Sequence, residues 1–276
     1  YHGWHDWYLA ANIQNNNSLN DHLIKNLNVK GVSKKLSGTI FPFEYNNLKQ
    51  LKKIIKEKNI GIIKMEVERN QKPKNNFLKK VRKLANKYGC ILIFDEITSG
   101  FHDHYGGIHL KYKVTPDIAI FGKSIANGYP ISAIIGKKKI MNKSQDSFIS
   151  STMWTDKIGF SASIKTLEYM KKNKIQKKII KIGKLIKKFW RDSSKKHKIK
   201  ILISGQDSMP YLTFDYKNNL EISTYFTQEM LKRGFLASNL VSVTEAYNDQ
   251  VLKKYKINFN NVMIKISKLL LKGEKF

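Results

Sequence analysis

The run Leu92-Ile93-Phe94-Asp95-Glu96-Ile97-Thr98-Ser99-Gly100-Phe101 decides the fold class. With Ile91 in front of it, it opens as an unbroken apolar stretch and stops at two carboxylates. That is the pattern of a strand buried on both faces and ending at a rim. A second stretch repeats it downstream: Pro116-Asp117 leads into Ile118-Ala119-Ile120-Phe121, which ends at Gly122-Lys123. Residues 60–67 and 131–135 supply two further apolar runs. Between the 60–67 run and Ile91, Pro73 and Asn75-Asn76 open a helix over 77–88, and Gly89 ends it. Strands alternating with helices in this way predict a parallel or mixed sheet in an α/β domain.

Upstream, residues 48–58 carry Leu48, Leu51 and Ile55 at helical spacing, a short strand is expected around Thr39-Ile40-Phe41, and the Asn-rich stretch 12–20 reads as loop. Beyond Gly159 long helices take over. Ile175, Ile179, Ile182, Ile186 and Phe189 form a stripe opposite a lysine-rich face, which predicts packing on the protein's own core rather than on a membrane. Residues 201–214, a helix over 222–233, residues 235–243 and a last helix over 261–272 predict a small α+β domain. The expected division is 1–172 for a large α/β domain and 173–276 for the small one.

The chain has 276 residues, and 51 Lys+Arg against 21 Asp+Glu give a formal charge of +30. With 41% hydrophobic residues it can bury a core, which excludes wholesale disorder. So basic a chain makes nucleic acid the first partner to weigh. The lysines are spread throughout, however, and arginine, which suits bidentate contacts, is scarce. The excess therefore reads as solvated surface, with neither nucleic acid nor membrane expected as a partner. No apolar run is long enough for a membrane span and no signal-like segment opens the chain, so a cytoplasmic protein is expected. Cys90 is the sole cysteine and sits in an apolar run, so it is expected to be buried and inert. His2, His5, His102 and His104 lack further partners at ligand spacing, and no metal site is expected.

Ligands of open α/β sheets bind beyond the carboxyl ends of the strands, which directs attention to Asp95 and Lys123. A structural ion pair between them is one reading. The other is a pyridoxal phosphate site, where a lysine bonds the cofactor's aldehyde and an aspartate pairs with its pyridine nitrogen. An amine at the rim of an apolar pocket sheds its proton more readily and can attack a carbonyl. A buried carboxylate keeps the ring nitrogen protonated, so that the ring can draw electrons from a substrate carbon.

These motifs, in order, resemble the class III pyridoxal-phosphate aminotransferases, and within them the glutamate-1-semialdehyde aminotransferase or aminomutase branch. The similarity rests on the two runs above, on Ser124-Ile125-Ala126-Asn127-Gly128-Tyr129-Pro130, on Tyr1-His2-Gly3 and on Phe43-Glu44-Tyr45-Asn46-Asn47-Leu48. It extends from residue 1 to about residue 170. The resemblance implies a fold-type I transferase in which Lys123 forms the Schiff base and Asp95 is the pyridinium partner. It further implies that Ile97 packs on one ring face, that Tyr1 stacks on the other with His2 beside it, and that Thr152 reaches the cofactor phosphate of the neighbouring subunit. The expected cofactor is pyridoxal 5'-phosphate. The expected assembly is a homodimer with shared active sites, and the expected partners are a small amino donor and an aldehyde or keto acceptor. The family's Gly-Ser/Thr phosphate loop lies upstream of its aromatic-His-Gly motif, so an N-terminal portion is expected before Tyr1. Met65-Glu66-Val67-Glu68-Arg69-Asn70 departs from the aminomutase segment, and His102 stands where many relatives carry arginine. Aminotransfer is therefore expected first and the aminomutase reaction second. A non-catalytic basic protein that binds nucleic acid or an anionic surface is the alternative of another class.

Overall fold

The structure, a computed structural model, describes residues 6–20, 27–68, 70–150 and 152–273. In chain order the elements are α1 (Asp6–Leu9), α2 (Leu48–Glu57), β1 (Ile62–Glu66), α3 (Phe77–Lys87), β2 (Ile91–Asp95), β3 (Ile118–Phe121), β4 (Ala133–Gly136), α4 (Lys138–Met141), α5 (Lys157–Asn173), α6 (Ile175–Lys196), β5 (Ile201–Ser204), β6 (Tyr211–Phe214), α7 (Asn219–Leu231) and α8 (Asp249–Lys272).

β1, β2 and β3 run parallel in that order, and β4 joins β3 antiparallel. The sheet is thus mixed, as the strand pattern anticipates. Leu92 and Phe94 of β2 are fully buried beneath α3, whose Phe77, Leu78, Val81 and Ala85 form its inner face. Asp117, at the entry to β3, is buried and fixes this packing: it accepts from Leu92 N at 2.8 Å and Arg82 Nη1 at 2.7 Å, and pairs with Lys137 at 2.7 Å. Burial alone would raise its carboxyl, but these hydrogen bonds outweigh burial and hold it below the usual carboxylate range. Cys90 is buried with its thiol 3.1 Å from Ile60 O, and burial pushes that thiol up.

Several expectations need correction. Residues 39–41 form no strand, because Thr39 gives both its N–H and its hydroxyl to Leu36 O, and Pro42 has no N–H to donate. The 60–67 run pairs only over β1, where burial alternates and Ile62 is 57% exposed. The fourth strand lies at β4 rather than 131–135, and Ile134 and Ile135 are both exposed, so among the described residues the sheet is not covered on both faces there. Residues 235–243 contribute a single bridge, Tyr211 to Leu240. α8 begins twelve residues before the expected start, capped by Asn248, which accepts from Val251 N at 3.0 Å.

The C-terminal half has its own core. Ile175, Ile179, Ile186 and Trp190 of α6 pack on β5–β6, α7 and α8, and Trp190 Nε1 donates to Tyr255 OH at 2.8 Å. α7 and α8 are joined through Glu229, whose carboxylate meets Lys265 at 2.7 Å, Arg233 at 2.8 Å and Lys232 at 3.0 Å. Hydrogen bonds from Lys265 and Lys232, opposed by burial and reinforced by Arg233, bring this carboxyl down to about 2. A tight turn, 205–208, lies across α6 at Gly183. A Cβ built on Gly183 would sit 1.5 Å from Asp207 O.

Two outcomes follow. Ala is favoured over Gly in a helix by about 1 kcal/mol, yet Gly183→Ala is expected to destabilise the fold by about 3 kcal/mol because a backbone carbonyl occupies the space. The midpoint of urea unfolding measures it, and a midpoint equal to or above that of the parent protein refutes the packing. For Glu229 the sign follows from a depressed pKa: its stabilisation is complete above the unfolded value near 4.5 and disappears as pH falls towards 2. The Tm advantage of the parent protein over Glu229→Gln should therefore be largest near neutrality and shrink between pH 5 and 2 in scans across pH.

Candidate active site

The register places Glu66 opposite Asp95 and Asp95 opposite Ile120, so the carboxyl ends of β1, β2 and β3 form one rim. Asp95, the last residue of β2, is 5% exposed, and Lys123 follows β3 by two residues on the neighbouring strand end. Topology therefore brings a buried carboxylate and a primary amine to adjacent strand ends. They do not pair with each other. Lys123 Nζ donates to Thr98 Oγ1 at 2.7 Å, while Asp95 faces Lys64 Nζ at 3.4 Å and accepts from Ile97 N at 3.2 Å. The ion-pair reading of Asp95 and Lys123 is thereby set aside.

Lys123 is exposed and has φ +48, the left-handed region that costs a side-chain-bearing residue about 1 kcal/mol or more. That conformation turns the chain abruptly out of β3 into a short 3-10 turn, Lys123–Ile125, and projects the side chain from the rim. Ile97 is partly buried beside Gly122, where a Cβ would stand 3.5 Å from Ile97 Cγ2. Ile97 thus lies between the carboxylate and the lysine in sequence and against the segment that carries the lysine in space. Thr152 is exposed on the turn before α5, and no contact ties it to Asp95 or Lys123 among the described residues. Tyr1 and His2 lie outside the described residues.

The loop behind this rim is held by Glu96, which is fully buried. Its carboxylate accepts from Ser99 Oγ at 2.5 Å, Ile108 N at 3.0 Å and His109 N at 2.9 Å, and faces His109 Nδ1 at 2.8 Å. The loop also carries His102 and Asp103. Burial pushes the His102 imidazole down, Asp103 pulls it up, and the nearby Lys123 ammonium pushes it down again, so the ring is neutral at pH 7. Asp103 accepts from Asp207 N at 3.1 Å, Ser208 N at 2.9 Å and Ser208 Oγ at 2.5 Å.

Sequence reading missed Thr98, Lys64 and the anchoring roles of Glu96 and Asp103. Thr98 lies within the decisive run itself, and Lys64 could have been found as a lone cation inside an apolar strand. Glu96 and Asp103 gave no such signal, because their partners are 3 to 13 and 104 to 105 residues away.

With this geometry in place the comparisons are decisive. The sequence model of the family described as "Aminotransferase class-III" matches residues 70–249. The chain belongs to the class III aminotransferase family. It is 36% identical over 227 residues to the 3-aminobutyryl-CoA aminotransferase of Cloacimonas acidaminovorans, a match that covers 78% of this chain and 50% of that protein. It is 30% identical over 207 residues to the glutamate-1-semialdehyde 2,1-aminomutase of Thermodesulfovibrio yellowstonii, covering 72% of this chain and 46% of the relative. The chain thus spans about half the length of these curated relatives. Among solved structures, the FumI protein of Sphingopyxis sp. MTA144, in its pyridoxal-phosphate internal aldimine form, superposes with a TM-score of 0.83 at 19% identity, over 98% of this chain and 64% of that one. An omega-transaminase from Sphaerobacter thermophilus gives 0.83 at 14%, over 97% and 67%. The class III aminotransferase chain therefore has the fold-type I architecture of the pyridoxal-phosphate transaminases.

In this family member Glu96→Gln turns an amide N–H2 towards N–H donors. A loss of about 2 kcal/mol is expected, together with faster cleavage within 98–110 in limited proteolysis. Unchanged stability and protection would mean that Glu96 does not hold the loop.

Proposed function

We propose that the protein is a pyridoxal-phosphate-dependent aminotransferase that moves an amino group between a small amino donor and an aldehyde or keto acceptor, with Lys123 as the covalent lysine. The observation that carries this is the placement of the buried Asp95 and the projecting Lys123 on adjacent carboxyl ends of parallel strands, within a chain of this family. The donor set fits the cofactor: one buried carboxylate beside Lys64, one amine on a threonine hydroxyl, and one apolar side chain against the segment that carries the lysine.

The cofactor supplies an electron-withdrawing ring that stabilises negative charge on the substrate carbon. Asp95 would pair with the ring nitrogen and favour its protonated form. Ile97 would offer an apolar face to one side of the ring. Lys123 would hold the cofactor through its aldehyde carbon, with loss of water, and as a free amine would be the base placed to move the substrate proton. Thr98 Oγ1 accepts from that ammonium and fixes where it waits. Tyr1 and His2 are proposed for the opposite face, and Thr152 for the cofactor phosphate of a second subunit.

A homodimer is part of this reading. Phe148 is 98% exposed, and Met153, Trp154, Ile158 and Phe160 are exposed close by in sequence, an apolar display that another chain would cover. We also propose the division at residue 172, which is supported by separate cores over residues 51–114 and 175–266. No helix among the described residues is long and apolar enough to cross a membrane, and a cytoplasmic location is the one proposed. The aminomutase reaction is the second reading, favoured by the 30% identity to the Thermodesulfovibrio protein.

The cofactor test is direct. Protein incubated with pyridoxal phosphate should develop a visible absorbance band, and borohydride should fix the cofactor mass on the peptide carrying Lys123. Lys123→Ala should show neither, and Asp95→Asn should lower turnover by about a hundredfold or more. Labelling at another lysine, or a Lys123→Ala protein that still labels and turns over, would falsify the assignment.

A further inference from the structure

A groove of about 1310 Å³ opens between residues 70–74, which follow β1, the last turns of α6 and strand β5. Six cations line it: Lys72, Lys74, Arg191, Lys195, Lys198 and Lys200. Asp215 is the one carboxylate among the lining residues, and none of the six cations has an ion-pair partner among the described residues. Lys187 also reaches the groove, but its ammonium is already taken by Gly205 O at 2.8 Å and Asp207 at 3.0 Å.

Lysine is common everywhere on this chain, and two of the six, Lys195 and Lys198, stand where they would compensate the C-terminal dipole of α6. Two observations go beyond that background. First, the cations arrive from three separate segments whose backbones are fixed. Asn46 donates to Lys72 O at 3.0 Å and accepts from Lys74 N at 2.8 Å, and Lys200 N donates to Tyr216 OH at 3.0 Å. Convergence of this kind accumulates like-charge repulsion that a bound anion would relieve. Second, arginine is scarce in the chain, and Arg82 and Arg233 are clasped by Asp117 and Glu229. Arg191 is the described arginine without a carboxylate, and it lines this groove; its planar guanidinium is suited to two phosphate oxygens. Beside the cations, Ile201 and the exposed Leu202 give the groove an apolar wall.

We infer that this groove binds a small ligand bearing several phosphates, its anionic end held by Arg191 and the lysines and its uncharged part against Ile201 and Leu202. The cations line one concavity and come from three segments of the chain, which fits a small molecule better than a nucleic-acid strand. The inference stands apart from the aminotransferase reading and does not use Lys123.

Calorimetric titration in 0.15 M NaCl tests it with ATP, inorganic tripolyphosphate, adenosine and a short single-stranded RNA. ATP should bind with a Kd on the order of 10–100 μM, and adenosine should bind far more weakly. Tripolyphosphate equal to ATP means that phosphates alone are read; weaker tripolyphosphate means that the apolar wall contributes. Arg191→Gln/Lys200→Gln should weaken ATP about tenfold or more, whereas Lys49→Gln/Lys52→Gln/Lys56→Gln, which removes an equally basic surface on α2, and Lys123→Ala should leave it unchanged. Equal losses in the α2 variant, no binding at this salt, or RNA binding more tightly than ATP through the same residues would each overturn the proposal.

Discussion

The arrangement of the two halves depends on the carboxylate of Asp103. It receives two backbone N–H groups and one hydroxyl from Asp207 and Ser208, residues 104 and 105 positions away. The same turn is fixed from its other side: Lys187 donates to Gly205 O and Asp207, Gly183 leaves room for Asp207 O, and Gly205 has φ +75 with Met209 O 2.3 Å from where a Cβ would lie. Further along the same edge, Gln206 Nε2 donates to Glu68 O at 2.9 Å and Gly205 N to Asn70 O at 3.4 Å. The turn is thus wedged between α6 and the loops that leave β1 and β2. Because Asp103 directly follows His102, whose titration feels Lys123, the C-terminal half helps set the surroundings of the lysine without itself reaching the rim.

The parts of this architecture that were legible in sequence are those specified by local pattern. Apolar runs ending in Asp95-Glu96 and Gly122-Lys123 mark strands and the rim where chemistry collects, although in β2 and β3 fully buried residues alternate with half-buried ones, a difference that the uniformly apolar sequence does not show. The parts that were not legible depend on pairing at a distance. Thr39-Ile40-Phe41 has strand-forming residues, but Thr39 is captured by a local turn, and local hydrogen bonds compete successfully with a ladder that has no waiting partner. The start of α8 at Asp249, twelve residues before the expected helix, is set by the Asn248 side chain that caps it. Thr98 was passed over for a different reason: a threonine after a strand has no distinguishing signal until the amine it receives is in place.

The segment 65–70 shows how a departure from a family pattern can be accommodated. Glu68 is 1% exposed and accepts from Tyr112 OH, while Tyr45 OH donates to Val67 O. Burial, followed by the Glu68 charge, pushes the Tyr45 phenol well above its ordinary range, so both tyrosines remain donors at physiological pH. Glu68 Oε1 and Gln206 Oε1 are buried without partners among the described residues, although Gln206 lies against the Glu68 carbonyl. A polar network that is only partly satisfied is costly in a dry interior.

The charge of +30 divides, on this structure, into unequal parts. Some cations are consumed by buried or half-buried carboxylates: Arg82 and Lys137 by Asp117, Lys265 and Arg233 by Glu229, Lys187 by Asp207. Most of the rest lie on wet faces, where each interacts weakly across high dielectric and counterions screen them beyond about 8–10 Å. The groove beside β5 belongs to neither class, since six cations without ion-pair partners among the described residues line one concavity. Lys123 differs from all of these, because among the described residues its amine donates to a threonine hydroxyl and meets no carboxylate. The Thr98 hydroxyl that receives it is neutral, and its nearest titratable neighbour of note, His102, is held uncharged. The rim thus offers Lys123 a neutral hydroxyl, while its buried carboxylate, Asp95, faces Lys64 at 3.4 Å.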